Sequence, residues 1–297
     1  MKILLSGANG FLGKAMQTAW RDHHEIVTLG RGGNAMIVCD LSRQVPVLPV
    51  VDMVVHAAGK AHVVPKTTAE RDDFFSVNVQ GTKNLLQALE NNRSPEKFIF
   101  ISTVSVYGLN EGINISETAP LLAEDPYGQS KIEAEKLVAD WCTKRNIKFY
   151  ILRVPLIAGK DAPGNLGAMI KGIKNGRYLS IGKSAAKKSI VLADDLARFL
   201  PGLQGQPGIY NLTDGYHPSF GELEHYIASF YNKKKHFSLP LPLAKMLGIA
   251  GDLIGTKFPV NSARLKKITS TLTFDDSKAR KELQWHSHEI LKAWTFE

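Results

Sequence analysis

Residues 2–13 read Lys2-Ile3-Leu4-Leu5-Ser6-Gly7-Ala8-Asn9-Gly10-Phe11-Leu12-Gly13, and a helical pattern follows them. A short apolar run thus enters a turn with the spacing Gly-x-x-Gly-x-x-Gly. In such a strand–turn–helix, one glycine makes the tight turn, the next lets the backbone approach a pyrophosphate, and the third lets the helix pack closely on the strand. The helix N-terminus then faces the anion. This stretch predicts a dinucleotide site made by Gly7, Asn9, Gly10, Phe11, Leu12 and Gly13.

The residue that ends the second predicted strand usually selects the cofactor. An acid there binds the ribose 2′-hydroxyl of NAD, whereas an arginine can meet the 2′-phosphate of NADP. Here no acid ends the strand, and Arg31 follows it. Asp40, after the third predicted strand, is a candidate acceptor for the adenine amino group, with a turn cap as the alternative. The expected cofactor is therefore NADP or NAD, with NADP slightly favoured.

Short apolar runs alternate with helical patterns over the first 155 residues. This alternation is typical of right-handed βαβ units and a parallel sheet. We therefore expect an α/β fold with a doubly wound parallel (Rossmann) sheet over residues 1–157. A smaller C-terminal substrate-binding α/β region, 158–297, would pack on it, with the chain free to return to the first sheet. The predicted strands are 2–6, 25–29, 35–39, 53–56, 97–102 and 149–153, and the predicted helices are 12–22, 68–91, 126–145, 220–231, 241–254 and 276–284.

The formal net charge of the 297 residues is +9, and it is unevenly distributed. Residues 1–159 carry 17 basic and 16 acidic side chains, whereas residues 160–297 carry 20 and 12. The excess is either a solvated basic surface or a surface that meets an anionic ligand. Nucleic acid is not expected, because the basic residues are scattered and no zinc-finger or RNA-binding signature accompanies them.

The composition also limits the metal and membrane chemistry. Two cysteines, Cys39 and Cys142, are too few for a disulfide framework or a four-ligand zinc site, so no metal is expected. The N-terminal apolar run is too short for a signal peptide. The longest apolar stretch, 239–255, contains Lys245 and Asp252 and is too short to span a bilayer. It predicts a core helix, with a helix on the membrane surface as the alternative, and the protein is expected to be cytoplasmic.

Tyr127 and Lys131 form a Tyr-x-x-x-Lys pattern, which places both on one face of a predicted helix. A phenol has a pKa near 10 and is a poor base at neutral pH. A nearby lysine ammonium and a positive nicotinamide would stabilise the phenolate. Tyr127 would then accept a proton from a hydroxyl while hydride leaves its carbon, and Lys131 would also bind the nicotinamide ribose. Thr103, at a strand end, is the preferred hydroxyl for the reacting oxygen, and Ser102 is the second choice.

These features occur in an order that resembles the extended short-chain dehydrogenase/reductase family, of the NAD-dependent epimerase/dehydratase type. The resemblance implies that Thr103, Tyr127 and Lys131 form the catalytic set and that Asn78 supports the cofactor side of the site. It also assigns cofactor contacts to Asp40, Leu41, Ala57, Ala58 and Gly59. The matching motifs are Gly7-x-x-Gly10-x-x-Gly13, Asp40-Leu41, His56-Ala57-Ala58-Gly59, Asn78-Val79-Gln80-Gly81-Thr82, residues 102–108, Tyr127-x-x-x-Lys131 and Leu152-Arg153-Val154-Pro155.

Most enzymes of this kind act on nucleotide-diphosphate sugars. Similarity to the epimerases assigns substrate binding to Asn165, Lys188 and Arg264, with Arg177 and Lys187 as nearby alternatives. The basic second half suits a diphosphate, whose charge needs neutralising. Residues 57–63 resemble the branch that includes UDP-N-acetylhexosamine 4-epimerases and UDP-4-keto-6-deoxyhexosamine 4-reductases. The expected substrate is a UDP-sugar or related nucleotide sugar, which reacts at C4 by epimerisation, as in UDP-glucose 4-epimerase, or by reduction of a 4-keto sugar.

Two alternative functions are a nucleotide-sugar dehydratase and a non-catalytic NADP-binding regulatory protein. The 4,6-dehydratases usually have Thr-Asp-Glu where this chain has Thr103-Val104-Ser105, so the acid and base for water elimination are missing. Members that lose catalysis usually lose the tyrosine or the lysine, and this chain has both. The sequence does not identify the hexose, the nucleotide or the direction of hydride transfer.

Helices 68–91 and 126–145 carry apolar residues beyond one face. In the family that the chain resembles, these two helices often pair across a two-fold axis into a four-helix bundle. A homodimer is therefore expected. The apolar residues that motivate this expectation include Phe74, Phe75, Leu85, Leu86 and Leu89.

Overall fold

The structure is a computed structural model, and it describes residues 1–61, 63–182, 184–233, 238–254 and 262–296. Its strands are short and mostly buried. In chain order they are β1 (Lys2–Ser6), β2 (Glu25–Gly30), β3 (Ile37–Val38), β4 (Met53–His56), β5 (Lys97–Thr103), β6 (Gly112–Ile115), β7 (Lys148–Val154), β8 (Leu156–Ala158), β9 (Ser180–Ile181), β10 (Ile190–Leu192), β11 (Gly208–Asn211), β12 (Ser238–Leu239) and β13 (Leu272–Phe274).

Helices follow most strands of the first half and dominate the second. They are α1 (Phe11–Trp20), α2 (Thr68–Phe75), α3 (Gly81–Glu90), α4 (Pro126–Lys144), α5 (Gly164–Lys174), α6 (Ala193–Phe199), α7 (Phe220–Phe230), α8 (Leu241–Ile254), α9 (Ser262–Thr269), α10 (Ser277–Leu283) and α11 (Ile290–Ala293). A π-helical segment, Ser76–Gln80, joins α2 to α3, and a 3₁₀ turn, Val104–Tyr107, follows β5.

Seven parallel strands form the central sheet, in the spatial order β3-β2-β1-β4-β5-β7-β11. The strand order reverses beside β1, and in doubly wound sheets ligands bind at the carboxyl edge at such a point. The fold class expected from the sequence is therefore confirmed. The last strand, β11, comes from beyond residue 158, so the chain does return to the first sheet.

Alternate residues of β1 point into the two cores on either side of the sheet. Ile3 and Leu5 pack with Met16 and Trp20 of α1, in a core that reaches α6. Leu4 faces the other way, toward α3 and α4. The indole nitrogen of Trp20 donates to the carbonyl of Ala197 at 2.6 Å, which ties α1 to α6. Helices thus cover both faces of the sheet, and only its edges approach solvent.

Three further two-stranded parallel sheets lie among the described residues. β12-β9 belongs to the second half, whereas β10-β8 and β13-β6 each join a second-half strand to one from the first half. A third core lies in the second half, formed largely by α5, α7, β10 and the C-terminal residues. No helix in the described part of the chain is long and apolar enough to cross a membrane.

Two predicted elements differ from the structure. The strand expected at 35–39 is only Ile37–Val38, an edge strand that pairs with the end of β2. The helix expected over 68–91 contains the π-helical segment Ser76–Gln80, which holds Asn78. π-Bulges are frequent at functional sites, because the extra residue re-aims the side chains of that turn.

Candidate active site

The glycine turn is shaped by close backbone packing. Gly7 has a φ of +76°, and a Cβ there would lie 2.6 Å from the backbone nitrogen of Ala58. A Cβ on Gly13 would lie 2.2 Å from the Gly7 carbonyl oxygen. A Cβ on Gly10 would meet only the Gly7 oxygen, at 3.1 Å. Gly7 and Gly13 are therefore required by the fold, whereas Gly10 leaves the mouth of the turn open.

The N-terminus of α1 fits a pyrophosphate. Gly10 is its N-cap, and no side chain caps the helix, so the first-turn N–H groups lack a side-chain acceptor. These groups can donate to phosphate oxygens. The side chains of Phe11 and Leu12 pack into the protein and leave their N–H groups to the opening: Leu12 is buried, and the Phe11 ring approaches the position of a Cβ on Gly159 at 3.1 Å. Asn9 donates to the carbonyl of Gly32 at 2.6 Å, which joins the turn to the loop after β2.

The loop after β2 brings Arg31 near Asp40. Arg31 is exposed, and its charge contributes to lowering the pKa of Asp40, for which the hydrogen bond from the Ser42 hydroxyl is the largest cause. The Asp40 carboxylate also accepts from the backbone N–H of Ser42 at 3.1 Å. It thus caps a turn, the alternative left open for it, and its other oxygen accepts no hydrogen bond among the described residues. Leu41 is buried, and its carbonyl accepts from Asn84.

A buried polar network supports the chain under the cofactor. The Thr82 hydroxyl donates to the carbonyl of Asn78 at 2.6 Å, so His56 Nε2 donates to Thr82 and His56 Nδ1 accepts from Ser6 at 2.6 Å. Burial, followed by the charge of Lys131, lowers the pKa of His56 to about 3. A neutral His56 therefore fixes the segment Ala57-Ala58-Gly59. The sequence analysis did not predict this role of His56, although the residue belongs to the His56-Ala57-Ala58-Gly59 motif.

Asn78 connects the cofactor side to α4. Its Oδ1 accepts from the Lys60 backbone N–H at 2.7 Å, and its Nδ2 donates to Ser130 Oγ at 2.9 Å. The Ser130 hydroxyl donates in turn to the carbonyl of Tyr127 at 2.8 Å. Asn78 thereby orients the first turn of α4. Ser130 was missed, although it lies beside Lys131 in the sequence.

α4 places Tyr127 and Lys131 at the carboxyl edge of the sheet. Asp125 caps the helix by accepting from the N–H of Gly128 at 3.0 Å, and Pro126 occupies the first turn. Thr103 ends β5, and its hydroxyl donates to Ser105 Oγ at 3.2 Å, close enough to Tyr127 to influence the pKa of the phenol. The ammonium of Lys131 donates to the carbonyl of Ile101 at 2.7 Å. The three predicted catalytic residues therefore converge.

Burial is the largest influence on the pKa values of Tyr127 and Lys131. It raises the pKa of Tyr127 to about 12, although the nearby Thr103 hydroxyl opposes the shift. Burial also lowers the pKa of Lys131 to about 7, and the charge of Glu135 opposes it. The sequence led us to expect that Lys131 would stabilise the phenolate. Within the chain itself the neutral phenol is favoured, because desolvation raises its pKa and the charge of Asp125 adds to the rise.

A buried ion pair lies directly beneath the catalytic group. Arg153 Nη2 donates to Glu135 Oε2 at 2.7 Å, and both side chains are less than 5% exposed. The Ser102 hydroxyl donates to the same carboxylate. Ser102, the second-choice hydroxyl, therefore has a buried partner of its own. Glu135 was missed, and the available signal was its i+4 spacing from Lys131.

The predicted substrate residues differ in their surroundings. Lys188 is half-buried, burial lowers its pKa to about 8, and no carboxylate of the described residues lies within ion-pair distance of it. Asn165, near the start of α5, and Arg177, after its end, are exposed. The side chain of Arg264 lies outside the described residues. No group of three or more His, Cys, Asp or Glu side chains in the described ranges could hold a metal ion.

A glycine turn open to a pyrophosphate, with threonine, tyrosine and lysine together at the same sheet edge, defines an NAD(P)-dependent enzyme of the extended short-chain dehydrogenase/reductase class. The chain belongs to the NAD dependent epimerase/dehydratase family, whose model matches residues 3–211. The resemblance inferred from the motifs is thereby confirmed.

Similar proteins and structures carry epimerase names. The chain is 30% identical over 294 residues, 93% of this chain and 88% of the relative, to N-acetyl-alpha-D-glucosaminyl-diphospho-ditrans,octacis-undecaprenol 4-epimerase of Escherichia coli O157:H7. It is 28% identical over 249 residues, 81% of this chain and 73% of the relative, to UDP-glucose 4-epimerase of Vibrio cholerae. The fold is similar to UDP-N-acetylglucosamine 4-epimerase from Bacillus cereus, with a TM-score of 0.75 and 20% identity over 98% of this chain and 92% of that chain.

Proposed function

We propose that the protein is an NAD(P)-dependent 4-epimerase of a sugar that carries a diphosphate. The observation that carries this proposal is the convergence of Thr103, at the end of β5, with Tyr127 and Lys131, one helical turn apart on α4, at the carboxyl edge of the sheet. Two hydroxyl groups there can bind a single substrate oxygen. The names of the relatives support C4 as the reacting centre.

The reaction needs one proton acceptor and one hydride acceptor. When bound, an oxidised nicotinamide would accept the hydride from C4, and its positive charge would favour the Tyr127 phenolate. Tyr127 accepts the proton of the C4 hydroxyl, and a C4 ketone results. Thr103 hydrogen-bonds the same oxygen throughout. The reduced cofactor would supply the hydride to the opposite face of the ketone, and Tyr127 would return the proton to the oxygen, which gives the C4 epimer.

The cofactor would be held by four parts of the described chain. The N–H groups at the start of α1 would bind the pyrophosphate, and the loop of Ala57-Ala58-Gly59 would pass beneath it. Asp40 would accept from the adenine amino group through Oδ2, which lies 3.9 Å from Nε of the exposed Arg43, with Leu41 beside it. Lys131 would bind the nicotinamide ribose. Asn78 would hold the first turn of α4 in position through its hydrogen bond to Ser130. Gly10 leaves the required space at the mouth of the turn.

Lys188 is the strongest candidate for the substrate diphosphate. A half-buried ammonium without a carboxylate partner is costly, and a bound anion would relieve that cost. Asn165, Arg177 and Arg264 remain further candidates. The anion could belong to a nucleotide, as in the UDP-glucose 4-epimerases, or to a polyprenyl lipid, as the name of the Escherichia coli relative specifies.

A substrate screen tests the proposed reaction. Purified protein with NAD or NADP is given UDP-N-acetylglucosamine, UDP-glucose, UDP-4-keto-6-deoxyhexosamine and a polyprenyl-diphospho-N-acetylglucosamine. Interconversion at C4 without net consumption of cofactor supports the epimerase. Stoichiometric oxidation of NADPH or NADH by the keto sugar would instead identify the 4-keto reductase. Loss of water from the substrate would identify a dehydratase, and cofactor binding with no turnover of any substrate would favour the regulatory alternative.

Replacing Arg31 with alanine is expected to weaken NADP selectively. A charge-assisted contact to the extra phosphate is worth roughly 1.5–3 kcal/mol, so the Kd for NADP should rise by about 10–150-fold. The Kd for NAD should change little, because NAD has no 2′-phosphate. Fluorescence titration with both reduced cofactors gives the two values. Arg21→Ala, at the exposed end of α1, is the control, and a native preference for NAD would show that Arg31 is not the selector.

A homodimer is the proposed assembly. Phe74, Leu85, Leu86 and Leu89 are buried within the protomer, so the pairing surface would have to consist of the outer sides of α2, α3 and α4. Light scattering of the purified protein should give twice the mass of the 32.7 kDa chain. A single protomer mass at the highest soluble concentration would refute the dimer.

A further inference from the structure

α8 presents its large apolar side chains to solvent and its small residues to the protein. Ala244, Gly248 and Gly251 lie on the buried side of the helix. Met246 is 67% exposed and Ile249 is 59% exposed. Leu243 and Leu247 are exposed as well. In a helix that only packs on a core, the larger apolar residues face inward. The outward face of α8, made of Leu243, Met246, Leu247 and Ile249, therefore serves something other than this protomer's core.

The inward side of α8 is covered by α9. A Cβ on Gly248 would lie 3.4 Å from Ser262, and the N–H of Ser262 donates to the Asp252 carboxylate at 3.1 Å. The small residues allow this close approach of the two helices. No other described element covers the outward face of α8, as the exposure of Met246 and Ile249 shows.

The stretch of sequence that contains these helices carries most of the net positive charge of the chain. Residues 233–267 carry eight basic side chains and one acidic side chain, a net charge of +7. The rest of the second half is nearly neutral. Lys245 on α8 and Lys267 on α9 are exposed. An apolar helix face within a basic segment is typical of a helix that lies in the headgroup region of an anionic bilayer.

We propose that the outward face of α8 docks the protein onto an anionic membrane surface. Leu243, Met246, Leu247 and Ile249 enter the boundary between headgroups and acyl chains, and Lys245 and Lys267 contact lipid phosphates. Burial lowers the pKa of Lys188 and the charge of Lys267 lowers it further, so α9, which packs on the inward side of α8, also lies near the candidate diphosphate site. Docking therefore holds that site beside the membrane. This proposal does not depend on the proposed reaction, because it concerns binding alone.

Sedimentation with vesicles tests the docking face. The full chain is mixed with vesicles of phosphatidylcholine alone or of phosphatidylcholine with phosphatidylglycerol. We expect binding to the anionic vesicles that weakens as salt is added, and little binding to the neutral ones. The double variant Met246→Glu/Ile249→Glu should bind the anionic vesicles about tenfold or more weakly. The control variant Val47→Glu/Val50→Glu introduces the same two negative charges at exposed apolar residues away from α8. It should bind the anionic vesicles nearly as tightly as the native chain does.

A neutral variant separates the apolar contribution from the charge. Met246→Ser/Ile249→Ser keeps the net charge and should still lose most of the binding, with an unchanged circular dichroism spectrum. The proposal is overturned if the native chain does not sediment with anionic vesicles, or if the α8 variants bind as tightly as the Val47/Val50 control. It is also overturned if the α8 substitutions only convert a dimer into protomers in light scattering, since the face would then join two copies of this chain.

Discussion

Tyr127→Phe is expected to lower turnover of the best substrate by about 10²–10⁴-fold, the usual contribution of general acid–base catalysis. The substitution removes one oxygen atom, and the ring keeps its contact with Phe74. Without the phenol, the side chains left beside the reacting oxygen are the alcohols of Thr103 and Ser105, which are far weaker proton acceptors than a phenolate. Initial rates of C4 epimerisation measure the loss.

Cofactor binding and folding should survive this change. Titration with the reduced cofactor should give nearly the native Kd for Tyr127→Phe. The matched control is Tyr150→Phe, because Tyr150 lies near the opposite end of β7 and its hydroxyl donates to the carbonyl of Gly205. That variant should turn over normally. Near-native turnover by Tyr127→Phe would show that the chemistry rests on another residue or that the protein is not an enzyme of this kind.

Glu135→Ala is expected to destabilise the fold by about 3–5 kcal/mol, because it leaves the Arg153 guanidinium buried without its carboxylate. The change also removes the acceptor of the Ser102 hydroxyl. Since whole domains are stable by only about 5–15 kcal/mol, a large part of the stability would be lost. Equilibrium unfolding in urea gives the difference from the native chain.

Two further variants test whether the loss of stability comes from the buried Glu135–Arg153 ion pair. Glu25→Ala breaks the exposed Lys2–Glu25 pair and should cost less than about 1 kcal/mol. The double variant Glu135→Leu/Arg153→Met removes both buried charges and should recover most of the loss, because apolar residues of similar volume can replace a buried pair. An equal cost for Glu135→Ala and Glu25→Ala would mean that water reaches Arg153 in the folded state.

The sheet was largely predictable because its determinants are local. β1 and β4 have the predicted bounds, since each is a continuous apolar run between turn residues. The small two-stranded sheets were not predicted. β9 has two residues and pairs with β12, which lies far along the chain, so its pairing is a tertiary property with no periodic signal.

The candidate site likewise has a part that local sequence spacing predicts and a part that only the folded structure determines. The i, i+4 spacing of Tyr127 and Lys131 was enough to place both on one helix face. The role of Glu135, on α4, depends on Ser102 of β5 and Arg153 of β7, and sequence spacing does not bring these together. The pKa of Tyr127 depends on burial, and burial is a property of the whole fold.

The late arrival of β11 has a consequence for synthesis on the ribosome. β7 is an inner strand of the finished sheet, yet its outer neighbour is separated from it by residues 155–207. At translation rates of about 5–20 residues per second, the nascent chain carries an open apolar sheet edge for roughly 3–10 s. Unpaired strand edges recruit other strands. We therefore expect aggregation to be most frequent among nascent chains on crowded polysomes, before β11 has been synthesised and has paired with β7.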